Sequence, residues 1–196
     1  MITAARHRKA KIGYAAPHSR RFQLSASFRR EQERNNSLRS LYIESTIPSY
    51  ATARDSRDLI RFHRQVATRV FGKSKRHLFR LVISQAVFNE CGRGDPDAAQ
   101  RRLELLEGIE VYPITARIQQ LAGIYRQLLN IPERAITDCI HLAVCATHNI
   151  DFLLTWNCTH LGPEVQKKVQ TYNEKNGLWT PLLVTPETIA GALREG

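Results

Sequence analysis

Residues 132–157, P-E-R-A-I-T-D-C-I-H-L-A-V-C-A-T-H-N-I-D-F-L-L-T-W-N, carry the reading that decides the fold. From Ala135 to Ala146 the stretch is apolar almost all round, through Ile136, Cys139, Ile140, Leu142, Ala143, Val144 and Cys145, with no internal Gly or Pro. That pattern predicts a buried helix. Pro132 suits the first turn, and Asn149 suits the residue that ends it. Ile150 to Thr155 then reads as a short, largely buried strand. Counted from Pro132, Asp138 falls about a turn and a half into the helix, too deep for an N-cap. A carboxylate among apolar residues is costly unless something pairs with it. A metal ion is one such partner; hydrogen bonds within a core are another.

The geometry of the stretch brings its two ends together. From Asp138 to the helix end is roughly 15 Å at ~1.5 Å per residue. The strand runs back by roughly 20 Å at ~3.3 Å per residue. Asn157, just past the strand, is therefore expected near Asp138. In open parallel α/β sheets that edge is where ligands bind.

Outward from this core, strands alternate with helices, and the alternation predicts a parallel-sheet α/β domain. Leu41-Tyr42-Ile43 reads as the first strand, followed by Glu44, Ser45 and Thr46. A helix is expected over about Asp55 to Phe71, its stripe formed by Leu59, Ile60, Phe62, Val66, Val70 and Phe71. His77 to Ile83 reads as the second strand, and Ser84 as the N-cap of a helix through Glu90. Asp95-Pro96 restarts a helix with Asp at its cap. Ile109 to Tyr112 is a third strand, and Thr115 to Leu129 a long helix. After the core helix and strand come a polar helix near Glu164 to Asn176, a fifth strand at Leu182 to Val184, and a final helix from Pro186.

Composition narrows the class. The net charge of +11 is uneven: residues 1–40 hold ten Lys/Arg and two Glu (+8), and the remainder nineteen Lys/Arg and sixteen Asp/Glu (+3). A nucleic-acid inference from basicity alone thus rests mostly on the first forty residues. Those residues are rich in Arg, Ser, Asn and His without a sustained apolar period, so a disordered extension is expected over 1–40 and the domain over 41–196. An organellar transit peptide, upstream sequence read from a misassigned start, and an RNA-binding arm are the other readings of that segment. Cys91, Cys139, Cys145 and Cys158 form no C-x-x-C pair, so buried free thiols in a reducing cytoplasm are expected. No apolar run reaches the ~18 residues of a membrane span.

On this layout Glu44 follows the first strand, Glu90 lies on the helix after the second, and Asp138 lies on the helix leading into the fourth, level with Asn157. One such acid is usually capping or solvated. Three acids and an amide at one edge of a parallel sheet suit a hard divalent cation, which takes carboxylate, water and phosphate oxygens. Metal-assisted phosphodiester hydrolysis is the matching chemistry. Other groupings have simpler readings. His141, Cys145 and His148 share a helical face, but structural zinc wants four closed ligands, and a core face explains them better. Asp151 is expected to cap the preceding turn, and Trp156 to pack rather than stack a base. Arg54, Arg57, Arg61, Arg64 and Arg69 are expected to face solvent, some of them toward phosphate.

Y-I-E-S-T-I at 42–47, the Ser84-to-Glu90 helix, T-D-C-I-H-L-A at 137–143 and D-F-L-L-T-W-N at 151–157 together resemble the PIN domain, specifically VapC-like toxins. The resemblance spans roughly residues 40–190 in order and spacing. It implies a Rossmann-like three-layer α/β/α domain with a central parallel sheet of about five strands. It implies a metal-dependent endoribonuclease using Mg²⁺ or Mn²⁺, with RNA as substrate, a cognate antitoxin as partner and a homodimeric assembly in the cytoplasm. By matching motifs, Glu44, Glu90, Asp138 and Asn157 take the four catalytic positions, with Glu44, Glu90 and Asp138 the metal ligands. Ser45 and Thr46 take the hydroxyl positions beside the first acid. The family usually has Asp at the first and fourth positions. Glu44 is one methylene longer, and Asn157 removes a charge, so one tightly held ion is expected.

Overall fold

The computed structural model describes residues 38–192, and the expectation for the N-terminal extension lies outside them up to Ser37. Among the described residues, five parallel strands form one sheet in the order β3-β2-β1-β4-β5. They are β1 (Ser40–Ile43), β2 (Arg80–Ser84), β3 (Glu110–Tyr112), β4 (Phe152–Leu154) and β5 (Leu182–Val184). The connecting helices are α1 (Thr46–Thr52), α2 (Leu59–Ser74), α3 (Gln85–Cys91), α4 (Pro96–Glu104), α5 (Ala116–Leu129), α6 (Ile136–Thr147), α7 (Pro163–Lys175) and α8 (Pro186–Ala192). The expected three-layer α/β/α architecture is the observed one.

Every residue of β1 and β4 is buried, as expected of central parallel strands covered on both faces. Leu41 pairs with Leu81 on one side and Phe152 on the other. The chain leaves β1 toward β2 and β3, then crosses to β4 and β5. The strand order therefore reverses between β1 and β4, and in open α/β sheets the crevice beyond the C-terminal ends at such a reversal is where ligands bind.

Several elements start where local chemistry directs. Asp95 caps α4 by accepting from the Ala98 amide at 2.9 Å, with Pro96 in the first turn. Thr115 accepts from the Ile118 amide to cap α5. Asn149 takes the left-handed conformation, φ 53°, that ends the α6 segment.

Others depart from expectation. The first strand begins at Ser40, one residue before Leu41. The Ser40 hydroxyl and amide both donate to Asp151 Oδ2, at 2.7 and 2.9 Å, tying the start of β1 to the start of β4. Asp151 thus joins the starts of the two strands. The second strand starts at Arg80, because Arg76–Leu78 coil into a 3₁₀ turn. Ser84 sits at the N-cap of α3, yet its side chain makes no cap bond and instead meets Tyr42 Oη at 2.6 Å. The helix expected over Asp55 to Phe71 starts at Leu59, and of its expected stripe Phe71 alone is buried: Leu59 is 82% exposed, while Gln65, Thr68 and Phe71 form the inner face. Cys158 is exposed, and the other three cysteines are buried free thiols.

Candidate metal centre

Glu44 leaves the C-terminal end of β1 and is only 3% exposed. Its backbone amide bonds the Leu154 carbonyl, which anchors it between the two central strands. Its carboxylate gathers the hydroxyls around it. Oε1 accepts from Ser45 Oγ at 2.8 Å. Oε2 accepts from the Thr46 amide at 3.1 Å, from Thr46 Oγ1, and from Thr155 Oγ1 at 2.8 Å. Oε2 is filled by three donors, and Oε1 keeps a free lone pair. Four fixed donors settle where this carboxylate points, as they must for a preorganised ligand.

Glu90 comes from the last turn of α3. Its Oε2 lies 3.2 Å from His141 Nε2 on α6. Burial opposes ionisation of Glu90, but the His141 hydrogen bond and charge, with help from Ser45 and Arg93, outweigh it and lower its pKa. His141 is fully buried. Burial disfavours its charged form, but the hydrogen bond to Glu90 and the charges of Glu44, Glu90 and Asp138 win and raise its pKa. One donor atom from each of Glu44, Glu90 and His141 lies within 4.8 Å of the others. Two carboxylates and an imidazole at that spacing fit a divalent ion.

Asp138 lies in the first turn of α6, because Glu133–Ala135 form a separate 3₁₀ turn and the α-helix starts at Ile136. The expected depth of a turn and a half is thereby corrected. A carboxylate in a first turn also gains from the helix dipole. Asn157 does reach it: Asn157 Nδ2 donates to Asp138 Oδ1 at 2.9 Å. His160 Nδ1 meets the other oxygen, Oδ2, at 2.8 Å. Asp138 is 13% exposed and His160 34%, so this pair faces the crevice mouth. Thr46 and Thr155 stitch the β4 exit to the site, accepting from the Trp156 and Asn157 amides at 2.9 and 2.8 Å. Trp156 packs: it is buried, and its Nε1 donates to Thr68 Oγ1 at 2.8 Å.

The sequence reading omitted His141, Thr155 and His160 from the site. Each had a signal in its spacing. His141 is one helical turn beyond Asp138, and Thr155 and His160 flank Asn157. Cys145, on the same α6 face as His141, is buried in the core, as expected. An apolar cleft of about 340 Å³ lies elsewhere, lined by Ile47, Phe71 and Leu106 among others, and none of these acids borders it.

A parallel α/β domain with an acid-lined crevice at its topological switch point is the class that fold and site define. The PIN domain profile matches residues 41–157, and the chain belongs to the PIN domain family. No curated protein matches it. Among solved structures it is similar to VapBC2 from Rickettsia felis bound to a DNA fragment from their promoter, at 15% identity, TM-score 0.43, covering 74% of this chain and 98% of that one. It is also similar to VapC20 of Mycobacterium tuberculosis, a Sarcin-Ricin loop cleaving toxin, at 16% identity, TM-score 0.49, covering 61% and 92%. A toxin–antitoxin complex from Klebsiella pneumoniae gives 17% identity, TM-score 0.48, and coverage of 74% and 97%.

Proposed function

We propose that this chain is a metal-dependent endoribonuclease of the PIN type and the toxin of a type II toxin–antitoxin pair. Its substrate is RNA, its ion Mg²⁺ or Mn²⁺, and its partners a cognate antitoxin and a second copy of itself in the cytoplasm. The observation that supports the reading is the closure of Glu44, Glu90 and His141 donor atoms within 4.8 Å, with Asp138 near enough to act on His141, at the switch edge of a PIN domain. The toxin assignment draws on the ordered motifs at 42–47, 84–90, 137–143 and 151–157.

Glu44, Glu90 and Asp138 would hold the ion, which when bound supplies an activated water and charge stabilisation at the leaving oxygen. Ser45, Thr46 and Thr155 orient Glu44 through the hydrogen bonds described above. Asn157 and His160 fix the Asp138 carboxylate from both sides and leave its face toward the crevice. The partly exposed His160 stands beside Asp138, with Nδ1 on Oδ2.

Asp138→Asn is expected to lower RNA cleavage by the purified protein on the order of 10²-fold or more, since it removes a charge facing the ion. The folded fraction should be unchanged by circular dichroism. Cleavage that ignores both this substitution and removal of divalent ions would overturn the reading. One observation favours a second reading, a catalytically weak PIN module that binds RNA or a protein: Asn157 brings an uncharged amide to the fourth position. Metal-independent RNA binding without turnover would select it.

A further inference from the structure

The least expected member of the site is His141. We propose that His141 is itself a metal ligand, through Nε2, alongside Glu44 and Glu90, and that this nitrogen turns the site toward Mn²⁺, Co²⁺ and Zn²⁺ over Mg²⁺. The inference rests on this edge being a divalent-metal site, and not on the identity of the substrate.

Three observations carry it. The first is the spacing. Among the described residues, Glu44, Glu90 and His141 form the group of three His, Cys, Asp or Glu side chains whose donor atoms all close within 4.8 Å, and Asp138 lies outside that group. Asp138 meets Asn157 and His160, one on each oxygen, and stands beside the group.

The second is what stands behind the ring. A metal-bound histidine donates its other ring N–H to a fixed acceptor, which sets the tautomer and the ring plane. His141 Nδ1 lies 2.8 Å from Tyr42 Oη, which lies 2.6 Å from Ser84 Oγ, and all three side chains are fully buried. The Tyr42 hydroxyl has a single proton to share between these two partners. That proton can go either way. Given to Ser84, it leaves Tyr42 Oη to accept from Nδ1–H, and Nε2 then presents a lone pair to Glu44 and Glu90. Given to His141, it leaves Nε2–H to bond Glu90. The relay therefore supports an ion-ready tautomer and an ion-free one without moving a heavy atom.

The third is the cost of the alternative. A histidine serving only the core would be satisfied by Tyr42 and a neutral acceptor. Placing it against two carboxylates is expensive unless a cation, proton or metal, completes the group. Mg²⁺ prefers an all-oxygen shell, and imidazole suits the later first-row ions, whose affinities rise from Mn²⁺ through Co²⁺ to Cu²⁺ and stay above Mn²⁺ at Zn²⁺.

The test uses the full chain, ¹⁵N-labelled, titrated with Zn²⁺ as a diamagnetic probe and followed through histidine ring nitrogens. The expected result is a His141 Nε2 resonance that moves to the metal-coordinated range while Nδ1 stays protonated. His141→Gln should lose that signal and bring Mn²⁺ affinity close to Mg²⁺ affinity in calorimetric titration. Should His141→Gln not fold, Tyr42→Phe keeps the imidazole and removes the acceptor behind it. It should lower Mn²⁺ affinity by ~10–100-fold. Glu90→Gln locates the ion: if binding depends on Glu90 while the His141 ring is silent to Zn²⁺, the proposal is overturned and the metal site stands. If no ion binds in any form of the protein, both fall together.

Discussion

At the scale of single residues, Asn157 and His148 show how much a neighbour decides. Asn157 replaces a charge with an amide, and the amide donates to a mostly buried carboxylate. Asn157→Asp would remove that donor and set two carboxylates in contact, raising the pKa of one of them. The ion-free variant is expected to lose about 1–3 kcal/mol and to recover more than wild type when saturated with Mn²⁺, read by thermal melting with and without the ion. An unchanged ion-free melting point would mean that the hydrogen bond contributes little. His148 stacks on Tyr112 with ring centroids 4.0 Å apart, and its Nε2 is buried without a partner. Burial lowers its pKa against a weaker opposing pull from Glu110. The unfolded chain, with a histidine pKa of about 6.5, takes up that proton first. Stability from neutral His148 is therefore complete above about pH 6.5 and lost as the pH falls toward the folded value. His148→Phe keeps the stack and cannot titrate. Between pH 7.5 and 5.5 its melting point should fall less than wild type's, and equal losses would show that His148 does not contribute to the acid limb.

At the scale of elements, α2 inverts the usual rule. Its apolar side chains Leu59, Ile60, Val66 and Val70 face out, and its inner face carries Gln65 and Thr68 beside Phe71. The reason is what it packs against. Gln65 accepts from the Ser56 amide at 3.0 Å and donates to the Arg54 carbonyl at 2.8 Å, satisfying a loop that has no ladder of its own. Thr68 accepts from Trp156 at the rim of the site. Arg69 adds bonds to the Ala51 and Ala53 carbonyls and to Asp55. Helical periodicity counts apolar residues, so it picks the wrong face of a helix that docks through polar groups. Thr68→Val should cost about 1–3 kcal/mol by orphaning the Trp156 N–H. Leu59→Gln should stay within about 0.5 kcal/mol. Chemical denaturation of the two variants checks the contrast, and the opposite order would mean the apolar face is the one that matters.

At the scale of the whole molecule, the site is assembled by topology. Glu44, Glu90 and His141 are far apart along the chain and meet because β1 is central and α3 and α6 both pack beside its C-terminal end. An ion bound by such scattered ligands links the strands and helices that carry them, and unfolding must release it. Mn²⁺ at about 100 times its dissociation constant should stabilise the fold by about 2.7 kcal/mol, or roughly 5–10 °C in melting temperature for a chain of this size. A chelator should reverse the shift. No change in melting temperature across the titration would count against a site tied into the fold.

The α/β alternation, the parallel sheet, the buried core helix and the meeting of Asp138 with Asn157 could all be read from the chain. Each depends on local periodicity or on the reach of one helix and one strand, quantities that neighbouring residues set by themselves. The fifth strand at Leu182–Val184 and the capped start at Asp95-Pro96 were legible for the same reason. The outward stripe of α2, the clamp of Ser40 on Asp151, and the exchange of Ser84 from helix cap to Tyr42 partner were decided by tertiary packing. So was the promotion of His141 from core residue to neighbour of Glu44 and Glu90. A buried polar group takes whichever partner the fold brings within hydrogen-bond distance, and residues separated by 42, 51 or 111 positions have no periodicity through which to announce that partner.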